Sequence, residues 1–290
     1  IAFIISRISR LYPAYWVCLT ITAIIIVLWG GDKFATTPSI FFANTTMLNG
    51  FFFIDYVDGV YWSLLVELKF YIIIGLVLLF NKLKYLNYII YLWLLLSVYF
   101  LFASADGLNL PLTIISYFFI PEWCSYFIAG MLFFLIWKDG NIKSRIIPLL
   151  GCIALSFFYA SKKVDALNSG YEDYFSEYVV FGLILFFFII FFLLSTRNLK
   201  FLNKPIFLKL GMLTYPLYLL HQNIGYILMN TSFGYINKYL TLILLLILML
   251  VGSYLISSKI EKPLGKYIRN KLTNSAMSNR AKNLLKIKNQ

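Results

Sequence analysis

The sequence predicts an all-α, polytopic transmembrane helix bundle with about eight spans present. Three observations carry this expectation. Of 290 residues, 61% are apolar and only 13% are charged, against about 45–50% and 25% in soluble domains. The mean hydropathy is +0.82. The apolar residues fall in continuous runs rather than in the alternating pattern of a membrane barrel. That much apolar side chain cannot be hidden in one core beneath a polar surface. A soluble enzyme, a disordered chain and a fibrous repeat are excluded on these grounds.

A hydrocarbon core of ~30 Å needs ~20 apolar residues as helix. Residues 12–29 form the first candidate span, with Pro13 suited to its first turn. Residues 62–80 follow, with Trp62 as an interfacial anchor at one end. Residues 86–104 are the third. The fourth is 121–137, with Pro121 and Glu122 as an interfacial start although the apolar stretch reaches back towards 112. The fifth, 145–160, is short. Residues 178–195, 207–229 and 239–258 complete the set, and Pro216 should kink the seventh. The membrane domain therefore covers 1–258. Residues 259–290 read as a basic cytoplasmic tail, forming a short surface helix or no structure.

The net charge of +13 is placed by this topology. With the N-terminus in the cytoplasm and one crossing per span, 20 of the 25 Lys and Arg fall on the cytoplasmic side. The acids Asp32, Asp55, Asp58, Asp106, Asp165, Glu172, Asp173 and Glu177 fall outside. This asymmetry is the positive-inside pattern of a plasma-membrane protein with both ends of this chain cytoplasmic. The positive charge thus reports topology, and no nucleic-acid partner is expected. The three cysteines, Cys18, Cys124 and Cys152, are odd in number and lack metal-ligand spacing. Neither a disulfide framework nor a metal site is indicated.

Ionisable groups within spans are costly and mark function. Arg7 and Arg10 sit three residues apart, hence on one helix face. They read either as a topological anchor or as an anion clamp, since a guanidinium fork suits phosphate. Ser63, Glu67 and Tyr71 recur every four residues and form one polar stripe. Lys69 points elsewhere and is expected to snorkel or pair locally. In the seventh span, Gly211, Thr214, Tyr218, His221 and Gly225 share a face, and His221 is the only histidine. Helical rise places Glu67 and His221 at similar depths of ~7.5 and ~10 Å below the outer boundary. A shared polar cavity is therefore expected.

Together these clusters resemble the acyltransferase 3 family of integral membrane acyltransferases that modify carbohydrates. The similar motifs are R-x-x-R-(hydrophobic)-x-P at Arg7 to Pro13, W-S-L-x-x-E-x-x-F-Y at Trp62 to Tyr71, and L-G-x-x-(S/T)-Y-x-(hydrophobic)-Y-L-x-H at Leu210 to His221. An E-x-P at Glu261 to Pro263 follows. The resemblance implies a ten-span protein, so the chain is expected to lack two N-terminal spans that carry the usual general base, and to be inactive by itself. It also implies transfer of acetyl from cytoplasmic acetyl-CoA to a hydroxyl of a cell-envelope or extracellular carbohydrate. Arg7 and Arg10 would bind the donor's phosphates. Glu67 and His221 are the catalytic candidates, which orient the acceptor or relay its proton. Trp62, Ser63, Tyr71 and Tyr218 are the substrate-binding candidates. Direct attack on the thioester is favoured over a covalent intermediate on Ser63. The alternative is a transporter or exporter of a lipid-linked or polymeric glycan, with the arginines on a lipid pyrophosphate.

Overall fold

A backbone within hydrocarbon must satisfy its own N–H and C=O groups, and a helix does so along its length. The computed structural model describes residues 1–103, 109–170 and 174–288, with side chains as far as Ser275. Asp106, Glu172 and Asp173, three of the acids assigned to the outer side, lie outside the described residues. No strand occurs among the described residues. The helices are α1 (Ala2–Trp29), α2 (Pro38–Asn44), α3 (Trp62–Leu79), α4 (Leu86–Phe102), α5 (Leu110–Phe119), α6 (Cys124–Asp139), α7 (Ile146–Gly170), α8 (Glu177–Ser195), α9 (Pro205–Ser232), α10 (Lys238–Ile256) and α11 (Lys262–Lys288). A π-helical turn, Ser257–Glu261, joins α10 to α11.

Each of the eight expected spans coincides with a helix. Among the described residues six helices are long and apolar enough to cross a membrane, or seven if α5 and α6 count as one span bent by 43°. The eighth, α9, has 28 residues but is too polar to qualify. His221, Gln222 and Asn223 stand consecutively within it. Three boundaries differ from expectation. α1 begins at Ala2, so Pro13 lies inside the helix and not in its first turn. No Pro or Gly precedes Pro13, and Arg is a good helix former, so nothing stops the helix earlier. α7 extends to 25 residues, carried on by a polar stretch beyond 160. The tail is helical through α11.

The chain divides into two units. The first comprises Ile1–Leu65 and Lys204–Gln290; the second comprises Val66–Asn203. In the first, the Tyr215 hydroxyl donates to the Leu11 carbonyl over 3.2 Å, while Trp29 and Gly30 line one cavity with Ile227 and Asn230. α1 and α9 are therefore parallel. The short link 233–237 returns α10 antiparallel to α9. A parallel first and seventh helix with an antiparallel eighth is what alternate crossing requires.

Pro13 cannot donate to the carbonyl of Ser9, one turn earlier. Against that same oxygen packs Gly265 of α11, where an added Cβ would stand 2.6 Å away. The missing side chain thus lets two backbones meet at the site where proline opened the helix.

The second unit is built around Trp93, Ile128, Leu132, Ile136, Leu149, Cys152 and Leu155. Pro121 breaks the α5–α6 pair, with Ile120 left-handed at φ 47°. The freed carbonyls are satisfied from α4. Trp93 Nε1 donates to Phe119 O over 2.7 Å, and Ser97 Oγ donates to Pro121 O over 2.7 Å. Pro121 and Glu122 lie in the break between α5 and α6, just before α6 begins at Cys124.

Gly265→Leu is expected to destabilise the protein by about 1–3 kcal/mol, because the clash is with backbone and not with a yielding side chain. Thermal unfolding in detergent measures the shift.

Candidate functional site

The site in the first unit starts from a pinned loop. Asn44, fully buried, donates from Nδ2 to Ile40 O (2.8 Å) and Asp55 O (2.9 Å), and its Oδ1 accepts from Val57 N (3.3 Å). Tyr15 ties the end of α2 to α1 by donating to Asn44 O over 2.8 Å. The loop is thus set before it reaches Asp58.

Asp58 then joins loop and helix. One carboxylate oxygen caps the turn Gly59–Tyr61 by accepting from Val60 N at 3.2 Å. The other accepts from Asn223 N of α9, also at 3.2 Å. Asn223 Nδ2 reciprocates to Val57 O over 3.0 Å. Gly59 packs against Gln222, and a Cβ there would sit 2.5 Å from Gln222 Nε2, so that flexible side chain would have to shift. Asp58 is 0% exposed. Burial raises its pKa above the ordinary 3.8, while the two N–H donors and nearby His221 pull it down.

The next turn carries the aromatic and hydroxyl candidates. Tyr61, 1% exposed, donates to Leu219 O at 3.4 Å. Ser63 Oγ and Tyr218 Oη lie 2.7 Å apart, and both lie within bonding distance of Val60 O, at 3.1 and 2.9 Å. With one proton each, one hydroxyl donates to the carbonyl and the other to its neighbour. Among the described residues Ser63 is bonded to the Tyr218 phenol and the Val60 carbonyl. Trp62 is 41% exposed at the start of α3.

His221 is exposed and has one ring nitrogen fixed. Its Nδ1 lies 2.7 Å from Tyr218 O. A carbonyl only accepts, so Nδ1 carries a proton, and whenever the ring is neutral the lone pair is on Nε2. The ring packs tilted against Tyr218, with centroids 5.6 Å apart.

Arg7 is half-buried, with its guanidinium 5.5 Å from the Phe3 ring centroid, and Arg10 is exposed. Arg10 lies within electrostatic range of Glu261, which the π-helical turn presents. The Leu11–Tyr215 bond sets the level of α1 against α9. Helical rise then places His221 ~10 Å beyond Arg10 and ~15 Å beyond Arg7 along the axis.

In the second unit, the Tyr71 hydroxyl donates to Glu67 Oε1 one turn earlier on α3. Lys69 is 6% exposed, with Nζ 3.2 Å from the Tyr117 ring centroid. Local pairing, rather than snorkelling, is the outcome there. Thus Ser63, Tyr218 and His221 come together in one unit, and Glu67 and Tyr71 in the other. Sequence reasoning missed Asp58, Tyr61 and Asn223. The signal for Asp58 was its place just before Gly59, the pattern of a capped turn.

Helices of span length with polar groups placed on them are those of a polytopic membrane protein. The family model described as Acyltransferase domain, Acyl_transf_3, matches residues 1–258. The chain belongs to the acyltransferase 3 family and is a membrane acyltransferase. Neither the comparison with curated proteins nor that with solved structures gives a match.

Asp58→Ala would strand two buried N–H groups, on Val60 and Asn223, and is expected to cost about 1–3 kcal/mol for each. Denaturation in detergent measures it. The pH dependence has a definite sign. Because the folded pKa is raised, the unfolded chain loses its Asp58 proton first as pH rises past 3.8. Wild-type stability relative to Asp58→Asn should therefore fall through that window and level off above the folded pKa. A difference that grows with pH would show that the carboxylate is favoured by the fold.

Proposed function

We propose that the protein transfers an acyl group, acetyl, from acetyl-CoA to a hydroxyl of a cell-envelope or extracellular carbohydrate in the plasma membrane. The observation that carries this reading is the arrangement along parallel α1 and α9. A guanidinium pair stands at one level, and an imidazole with an available Nε2 stands ~10–15 Å farther along. An extended acyl-pantetheine arm has its phosphates at one end and its thioester at the other, and this spacing suits it.

In this reading Arg7 and Arg10 hold the donor's phosphates on the cytoplasmic side. The acceptor hydroxyl attacks the thioester carbonyl, the C–S bond breaks, and the thiolate leaves. The hydroxyl proton passes through a base and ends on the departing sulfur. His221 Nε2 orients the hydroxyl or relays that proton, and its fixed Nδ1–H holds the ring in the required tautomer. Glu67, whose Oε1 accepts from Tyr71, is the second catalytic candidate. Trp62 and Tyr218 offer aromatic faces to a sugar ring. Ser63 holds Tyr218 instead of forming an acyl-enzyme.

The test uses the full-length protein in detergent with radiolabelled acetyl-CoA and envelope carbohydrate. His221→Ala and Glu67→Gln are expected to lower turnover about 10²-fold or more while donor binding persists. Arg7→Ala and Arg10→Ala are each expected to weaken acetyl-CoA binding about tenfold or more, the value of a charge-assisted phosphate contact. Unchanged donor binding in the arginine variants would overturn the clamp. A wild-type protein that neither binds acetyl-CoA nor transfers acetyl would overturn the whole reading.

A further inference from the structure

The second unit holds two cavities that the acyl-transfer reading does not use, and they are contiguous. The larger, of about 850 Å³, runs between α6 and α8 and is walled almost wholly by apolar and aromatic side chains, among them Phe133, Phe134, Phe187 and Phe191. Its lining extends from Val180 to Ser195 on α8, ~22 Å at helical rise. That exceeds the ~15 Å of one leaflet's hydrocarbon. The smaller, of about 390 Å³, shares Trp137 and Ser195 with the first and adds Lys138, Asp139 and Arg197. An apolar trough thus ends in a charged pocket.

The charge of that pocket is positive. Asp139 is held by Arg145 in a bidentate pair, Nη1–Oδ1 2.5 Å and Nη2–Oδ2 2.7 Å. Lys138 and Arg197 have no ion pair among the described residues. Arg197 donates one N–H to Trp137 O at 3.2 Å and lies 5.6 Å from the Trp137 ring centroid. A guanidinium has five donors, so most remain available.

The backbone of Arg197 adds a second observation. α8 ends as Asn198 N donates to Leu193 O and Arg197 N to Leu194 O. That is a Schellman ending with Arg197 in the left-handed position at φ 61°. Glycine fits there without strain. An arginine there supplies a guanidinium at the mouth of the trough, at a conformational cost.

We infer that the α6–α8 trough binds a glycerophospholipid of net negative headgroup charge. Its acyl chain lies along the phenylalanines and its phosphate meets Lys138 and Arg197 beside Trp137. Such a membrane-buried tail with a cation pair at its polar end matches the ligand's own division. Trp at the boundary suits the headgroup level.

The full-length protein, purified in mild detergent, would be mixed with equal phosphatidylglycerol and phosphatidylcholine of the same chains. Native mass spectrometry then counts retained lipid. Wild type should retain phosphatidylglycerol in excess. Lys138→Gln with Arg197→Gln should reduce that preference about tenfold while phosphatidylcholine retention is unchanged. Gly130 lines the trough, and a Cβ there meets nothing within 4 Å, so Gly130→Leu should fold and reduce retention of both lipids. Inorganic phosphate or glycerol phosphate at millimolar concentration should not displace the bound lipid. Equal retention of the two lipids by wild type, an unaltered preference in the double variant, or displacement by free phosphate would each overturn the inference.

Discussion

Within a membrane interior a carbonyl oxygen that loses its helical partner has no water to turn to. Much of the structure follows from how such oxygens are answered. Pro121 opens the chain between α5 and α6, and Trp93 and Ser97 reach across from α4 to supply donors. Tyr61, Tyr215 and Tyr218 likewise donate to backbone carbonyls, those of Leu219, Leu11 and Val60. Side-chain donors with apolar bodies do most of this work. A tyrosine or tryptophan ring can lie in hydrocarbon while its single polar atom finds a carbonyl. The abundance of aromatics, 19% of the chain, is partly explained by this use.

The candidate site exploits the same constraint. Asp58 gathers N–H groups from a turn and from the middle of α9, and so fixes where α9 stands against the start of α3. Once that register is set, Tyr218 meets Ser63, and the Tyr218 carbonyl accepts from His221. The histidine's free nitrogen is therefore set by a chain of contacts that begins in a loop. In the proposed reaction, a buried carboxylate thus acts on the site without touching a substrate.

The helical class and the helices at the eight expected spans were legible in the sequence, because runs of apolar residues leave few alternatives in lipid. The stripe of Ser63, Glu67 and Tyr71 was legible from helical periodicity, and the bond between the last two falls within it. The role of Pro13 was not. A proline near an apparent helix start is ordinarily its first turn, and only Gly265, some 250 residues away, reveals that the helix runs through it. The bridging role of Asp58 was not legible for a similar reason, since its partners on α9 are contributed by tertiary structure. Lys69 fell between these cases, since periodicity set its face but Tyr117 decided its partner.

The π-helical turn between α10 and α11 has a geometric consequence. Each residue of an α-helix turns the chain by ~100°, so one extra residue in a wide turn resets the azimuth of everything after it. Without that insertion the face bearing Gly265 would swing roughly a quarter-turn from α1, and a bulkier neighbour would be steered at the Ser9 oxygen. The wide turn thus serves as a phase adjuster, by which a tail helix continuous with a membrane span is aimed at the proline-notched side of another.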